Sequence, residues 1–309
     1  MRRGLPFVPL EELDDRPNVM ADGAATSSTV LTLSHWPGSS TPLRLRHDLS
    51  AGIAFRYLRS RWRWPSAEVV TLDHFDQDGL VTAYAVAEPE RALASEEALM
   101  AVATAGDFDV ATDRAAARAA FALESLAPGP GDPAAGDAYR RALELLPDLV
   151  GHPDRHAPLW EEQDARLTKS EEALRAGRVR ITEVPRLDLA VVDVDEGGGP
   201  TAGLHPIALH NRTGCTRILV LAPPHFRMYF RYETWVRLVS RKVPPRVDLT
   251  GVAEELEAAE PGPGRWRFNG VRATVARLEP DGSGSELAPE LVRQRVERAL
   301  ADGVPPDRV

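Results

Sequence analysis

The sequence predicts a two-domain α/β protein. A larger N-terminal domain has a mostly parallel sheet with flanking helices, and a smaller C-terminal domain is mixed α+β. Three observations predict this. Apolar β-branched runs alternate with helical stretches through the first half, and that alternation implies a parallel sheet with right-handed crossovers. The composition changes near residue 178, where successive strand-like runs replace charged and alanine-rich helices. The 309 residues, 43% hydrophobic and 27% charged, suffice for two ordinary domains and are too apolar for wholesale disorder.

Residues 1–28 read as an irregular arm, with Pro6, Pro9, Pro17 and the small-residue run Ala24-Ala25-Thr26-Ser27-Ser28. The α/β domain is placed at 29–165. It opens with the strand Val30–Leu33, which ends in Ser34-His35-Trp36-Pro37-Gly38. Ser50 can cap a helix through about Ser60. Ala67–Leu72 is a second strand, and a helix starts near Leu80. Ser95 opens a further helix, with glutamates in the first turn where the helix dipole favours them. It leads through Val102 into Ala105-Gly106-Asp107-Phe108-Asp109. Helices follow at Asp113–Leu126, Ala138–Val150 and Leu159–Ala176, with a break at Pro128–Pro133. Residues 166–177 are read as a linker helix and 178–309 as the smaller domain. There, Val179–Val184, Leu187–Val194, Arg217–Ala222 and His225–Tyr232 read as strands, and Glu196–Pro200 as a loop. Leu249–Ala259 and Pro289–Ala301 read as helices, and Trp266–Arg272 as a hairpin with an Asn269-Gly270 turn.

The net charge of -9 disfavours duplex nucleic acid as a partner but leaves room for a small anionic substrate held by local arginines. The single cysteine, Cys215, forbids an intrachain disulfide, fits a reducing cytoplasm, and reads as a small core residue. No apolar run spans a bilayer, and Met1-Arg2-Arg3-Gly4-Leu5-Pro6 lacks the apolar region of a signal peptide, so no membrane association is expected. A homodimer is left open.

The most telling stretch is Leu72-Asp73-His74-Phe75-Asp76-Gln77-Asp78-Gly79-Leu80. It puts an imidazole and two carboxylates, at alternating positions, on the turn after a strand, where ligands bind in open α/β sheets. Donors crowded this closely repel or compete for protons unless a cation sits among them. The alternative is an Asx-type turn in which Asp76 and Asp78 merely cap the next helix.

The motif His74-x-Asp76-x-Asp78-Gly79 resembles the first motif of the DHH phosphoesterase superfamily, which includes RecJ-type exonucleases, nanoRNases, cyclic-dinucleotide phosphodiesterases and family II inorganic pyrophosphatases. In the RecJ-like branch an aspartate stands where this chain has His74. The resemblance implies that His74, Asp76 and Asp78 bind one or two Mn²⁺ or Mg²⁺ ions that activate a water for attack on phosphorus. Asp107 lies where the superfamily has a lone second aspartate, although the segment before it reads as helix more than strand. The eponymous Asp-His-His motif is absent. Its nearest substitute is His152-Pro153-Asp154-Arg155-His156, where His152, Asp154 and His156 are candidates for ligands or a general acid and Arg155 for a phosphate contact. The bland reading of that loop is a polar helix end. The C-terminal part resembles the superfamily's substrate-binding DHHA1 domain in placement only. The whole chain also resembles an uncharacterised bacterial family, which supplies no activity.

Further candidates for substrate contact are His35 at the end of the first strand, the donor-rich loop carrying His210, Asn211 and Arg212, and Arg231 among Tyr229, Tyr232 and Trp235. Arg227, Tyr229 and Arg231 share a face if the strand runs through them. The expected function is therefore metal-dependent hydrolysis of a small nucleotide-like or other phosphorylated substrate. The rivals are a metal-dependent enzyme of a specialised biosynthetic pathway without phosphoryl chemistry, and a non-catalytic anion- or nucleotide-binding protein.

Overall fold

A computed structural model describes residues 4–60, 66–195 and 203–303. The expected loop Glu196–Pro200 lies outside the described residues. The chain divides into two compact units, Met1–Ala165 with Val236–Arg241, and Arg166–Trp235 with Lys242–Val309. The protein is α/β, with one three-stranded parallel sheet and one six-stranded mixed sheet.

The first unit holds β1 (Asn18–Ala21), β2 (Thr29–Leu33), α1 (Ser50–Arg59), β3 (Val69–Thr71), α2 (Gln77–Ala87), α3 (Pro89–Ala94), α4 (Glu96–Asp107), α5 (Arg114–Ser125) and α6 (Ala135–Gly151). A further helix, α7 (Ala157–Arg175), carries the chain into the second unit as one continuous element. The strand order is β2-β1-β3, all parallel. Residues 1–28 are thus not simply an irregular arm: Asn18-Val19-Met20-Ala21 forms the central strand, buried along its whole length. Asn18 tolerates that burial because its side chain donates to Ser28 Oγ (3.1 Å) and accepts from Thr29 Oγ1 (2.9 Å). The expected strand–helix alternation stops after β3, and the remaining elements up to residue 165 are helical. α2 is buried from Asp78 to Val86 and packs against α1 and α4, so it reads as apolar all round.

The second unit holds β4 (Val179–Val184), β5 (Leu189–Val194), α8 (Pro206–His210), β6 (Arg217–Ala222), β7 (His225–Phe230), α9 (Thr250–Ala259), β8 (Trp266–Phe268), β9 (Arg277–Pro280) and α10 (Pro289–Asp302). Its sheet order is β4-β5-β6-β7-β9-β8, with only β5 and β6 parallel. Alternation sorts the two faces. Leu189 and Val191 join Leu219, Met228 and the apolar sides of α9 and α10, while Ala190 and Val192 join Ile218, Leu209, Ala173 and Cys215 on the other face. The hairpin near Trp266 is present, but its second strand is Arg277–Pro280, so the loop runs from Asn269 to Ala276 rather than turning at Asn-Gly alone.

Candidate metal centre

Parallel pairing brings three strand ends to one edge. The register matches Ala21 with Leu33 and Met20 with Thr71, so the next residues in each strand, Asp22, Ser34-His35 and Leu72-Asp73-His74, emerge together. Asp22 takes a left-handed backbone (φ 42°), which aspartate tolerates better than most residues. Its N–H donates to Leu33 O (2.9 Å), and its carboxylate is fully buried. Asp22 Oδ1 accepts from Ser50 Oγ (2.5 Å), while buried Oδ2 has no hydrogen-bond partner among the described residues.

Two imidazoles face this carboxylate, and each is held from behind. His35 Nδ1 sits 2.5 Å from the Asp48 carbonyl. A carbonyl can only accept, so Nδ1 carries the proton. His35 Nε2 is then turned toward Asp107 Oδ2 (3.4 Å), Asp22 Oδ1 (3.5 Å) and Asp78 Oδ2 (4.0 Å). His74 repeats the arrangement: Nδ1 meets Asp73 Oδ1 (2.8 Å), and Nε2 faces Asp76 Oδ2 (2.7 Å) and Asp22 Oδ2 (3.4 Å). Asp73 is fixed in turn by the Ala24 N–H (2.9 Å). This approach needs Gly23, where a Cβ would lie 2.4 Å from Asp73 Oδ1. An imidazole anchored through one nitrogen with the other aimed into a carboxylate cluster is the usual arrangement of a metal-ligating histidine.

The acidic residues of the motif have two duties. Asp76 caps α2, its Oδ1 accepting from Gly79 N (2.7 Å), which leaves Oδ2 for His74. Asp78 accepts from Ser50 N (2.7 Å) and Ala51 N (2.8 Å), the first amides of α1, where the helix dipole favours a negative charge. The capping role foreseen for these residues is therefore present, although Asp78 caps a different helix from its own. Asp107 is the last residue of α4, not the end of a strand. A carboxylate at a helix C-terminus opposes the dipole, and its buried Oδ2 has no hydrogen-bond partner among the described residues.

Electrostatics make this arrangement costly unless a cation is present. Burial, then the charge of Asp22, pushes the Asp78 carboxyl up to about 7. Burial, with Asp78, Asp76 and Asp22 nearby, raises Asp107 well above the carboxylate range. Burial also works against Asp22, but His35, His74 and the Ser50 hydroxyl outweigh it and hold that carboxyl low. His74 is raised despite its burial, because the surrounding carboxylates of Asp22, Asp73 and Asp76 favour its charged form. Two sets of potential ligands result, Asp22–His74–Asp76 and Asp22–His35–Asp78, each within 4.8 Å, and Asp22 belongs to both. Buried carboxylate oxygens without hydrogen-bond partners, beside imidazole nitrogens, are a donor set that could hold a divalent cation.

Of the residues singled out in the sequence, His74, Asp76, Asp78, Asp107 and His35 gather here. Asp22 escaped notice because β1 was hidden in the proline-rich opening, and Asp73, although inside the Leu72–Leu80 stretch, was given no role because its bond to the Ala24 amide comes from that same opening segment. The apolar run Val19-Met20-Ala21 ending in Asp22-Gly23 was the available signal. The residues His152–His156 join no ligand group among the described residues. His152 is exposed at the end of α6, His156 pairs with Asp148 (2.7 Å), Arg155 with Asp148 (3.1 Å) and Asp154 with Arg118 (2.9 Å). In the second unit, His210 Nε2 meets Tyr229 Oη (2.9 Å), and Asn211 and Arg212 are exposed after α8. Arg231 is not on the face of a strand with Arg227 and Tyr229. β7 ends at Phe230, and Arg231 is buried against Glu233 (2.6 Å), so its charge is already matched.

The protein is α/β, and its carboxylate–imidazole cluster lies at the C-terminal edge of a parallel sheet, the edge at which open α/β sheets in general bind ligands. The chain belongs to DUF6687, a family of unknown function whose model matches residues 3–300. No curated protein and no solved structure matches it. Among the described residues, no helix is long and apolar enough to cross a membrane.

Proposed function

We propose that this protein is a divalent-metal-dependent phosphohydrolase acting on a small nucleotide-like or other phosphorylated substrate, related in its site to the DHH phosphoesterases. The carrying observation is that Asp22 belongs to both ligand groups, the arrangement expected of a carboxylate shared by two ions. Two Mn²⁺ or Mg²⁺ ions, when bound, would supply an activated water and neutralise charge on a phosphoryl group. The protein's own part is positioning. Asp48 and Asp73 fix the imidazoles of His35 and His74, and Gly23 allows Asp73 its place. Asp107 offers a buried carboxylate oxygen from the end of α4, a helix end where the resemblance expects its second aspartate at a strand end. The DHH resemblance supports phosphoryl chemistry, while His35 and Asp22 offer donors in place of those that the missing Asp-His-His motif would have provided.

The backbone N–H groups of Ser50 and Ala51, which donate to both oxygens of Asp78, favour one alternative, a structural polar network on a non-catalytic binding protein. A phosphate-release screen of phosphodiesters and nucleotides with Mn²⁺ separates the two. Turnover by the wild type that Asp22→Asn reduces by at least about a hundredfold is expected, in line with loss of a metal-dependent step. Equal release by both proteins would sink the proposal.

A further inference from the structure

We propose that the pocket behind His35 in the first unit is an anion subsite, and that the substrate therefore carries a second phosphate close to the reacting one. The substrate class rests on the phosphohydrolase reading; the subsite itself does not. Ser34, Ser39, Thr41, Arg46, His47 and Arg237 line the pocket beside His35, and no acidic side chain does. Neither the Arg46 nor the Arg237 guanidinium has a hydrogen-bond or carboxylate partner among the described residues. By contrast, Arg114 and Arg118 in the same unit are both paired with Asp164.

The pocket has been built, and is not an accident of surface arginines. His47 Nδ1 accepts from Leu49 N (3.2 Å), so its Nε2 carries the proton and can donate to an anion. Its ring occupies space that only a glycine at position 52 allows, since a Cβ there would come 2.1 Å from His47 Nδ1. Arg237 is exposed, yet its backbone is tied down. Its N–H donates to His35 O (2.9 Å), and the Val239 and Ser240 amides donate to Asp48 Oδ1 (2.6 and 3.0 Å). Asp48 thus holds His35 with its carbonyl and the Arg237 segment with its carboxylate. The enclosed volume is only about 10 Å³, room for one oxygen, so a phosphate would seat one oxygen inside and present the rest at the mouth. His35 lines both this pocket and the carboxylate cluster. An anion here and a phosphoryl group at the cluster would therefore both border the His35 side chain, which suits a diphosphate or a bisphosphate with neighbouring groups.

The test is a calorimetric titration of inorganic phosphate and of diphosphate into the full-length, EDTA-treated protein, with Mn²⁺ content measured in parallel on metal-loaded samples. Arg46→Gln/Arg237→Gln is expected to weaken phosphate binding by about tenfold or more, as loss of charge-assisted hydrogen bonds should. Arg44→Gln, an exposed neighbour outside the pocket, should leave it unchanged. Phosphate binding that survives the double substitution, or is absent from the metal-free wild type, would overturn the subsite. Arginine-dependent binding in a protein that retains no Mn²⁺ would keep the subsite and remove the metal reading. Retained Mn²⁺ with binding indifferent to both arginines would do the reverse.

Discussion

A buried carboxyl group among other carboxyls must keep a proton or share a cation, and Asp78 and Asp107 face that choice. Asp78 is pushed up to about 7, so the metal-free native state holds a proton there that the unfolded chain releases near its ordinary value of about 4. A folded-state value above the unfolded one means that this contribution to stability is fully present below about pH 4 and lost as the pH rises through about 7. Asp107 acts in the same direction, and Asp22, whose carboxyl is held low, acts in the opposite one. The melting temperature of EDTA-treated protein is accordingly expected to fall between about pH 5 and pH 8. Mn²⁺ should restore more at pH 8 than at pH 5, because ions displace protons from their ligands. A flat profile, or a larger rescue at pH 5, would count against a cation site. At this scale the sequence was informative where donors cluster along the chain, as at His74, Asp76 and Asp78. It was silent about Asp22, whose partners come from other segments.

The elements owe their positions to small residues as much as to apolar ones. Alanine in place of a helical glycine usually stabilises a helix, by up to about 1 kcal/mol. Gly52 sits in the first turn of α1, where the added Cβ would collide with the His47 ring, so Gly52→Ala is expected to destabilise by about 1–3 kcal/mol. Gly23→Ala should displace Asp73 and weaken Mn²⁺ binding while leaving the helices intact. Urea midpoints and metal titrations of the two variants check this, and a more stable Gly52→Ala protein would contradict the packing. Most helices announced themselves through starts such as Asp113 before α5 and Pro289 opening α10. β1 did not. A strand covered on both faces shows no alternation, it is four residues long, and Asn18 looks polar until its partners Ser28 and Thr29 are in place.

For the whole molecule, the change in composition near residue 178 was visible as a switch from helices to strands. The return of Val236–Arg241 to the first unit was not, because linear composition cannot reveal a short excursion held by backbone amides on Asp48. A ligand that binds only the native state at about 100 times its dissociation constant adds roughly 2.7 kcal/mol, which a melting scan detects for Mn²⁺. The most direct measurement is elemental analysis of wild type and Asp22→Asn after incubation with Mn²⁺ and desalting. About two equivalents in the wild type, lost in the variant, are predicted for a site whose two ligand groups share Asp22. No retained metal in the wild type, or the same content in both proteins, would contradict the account.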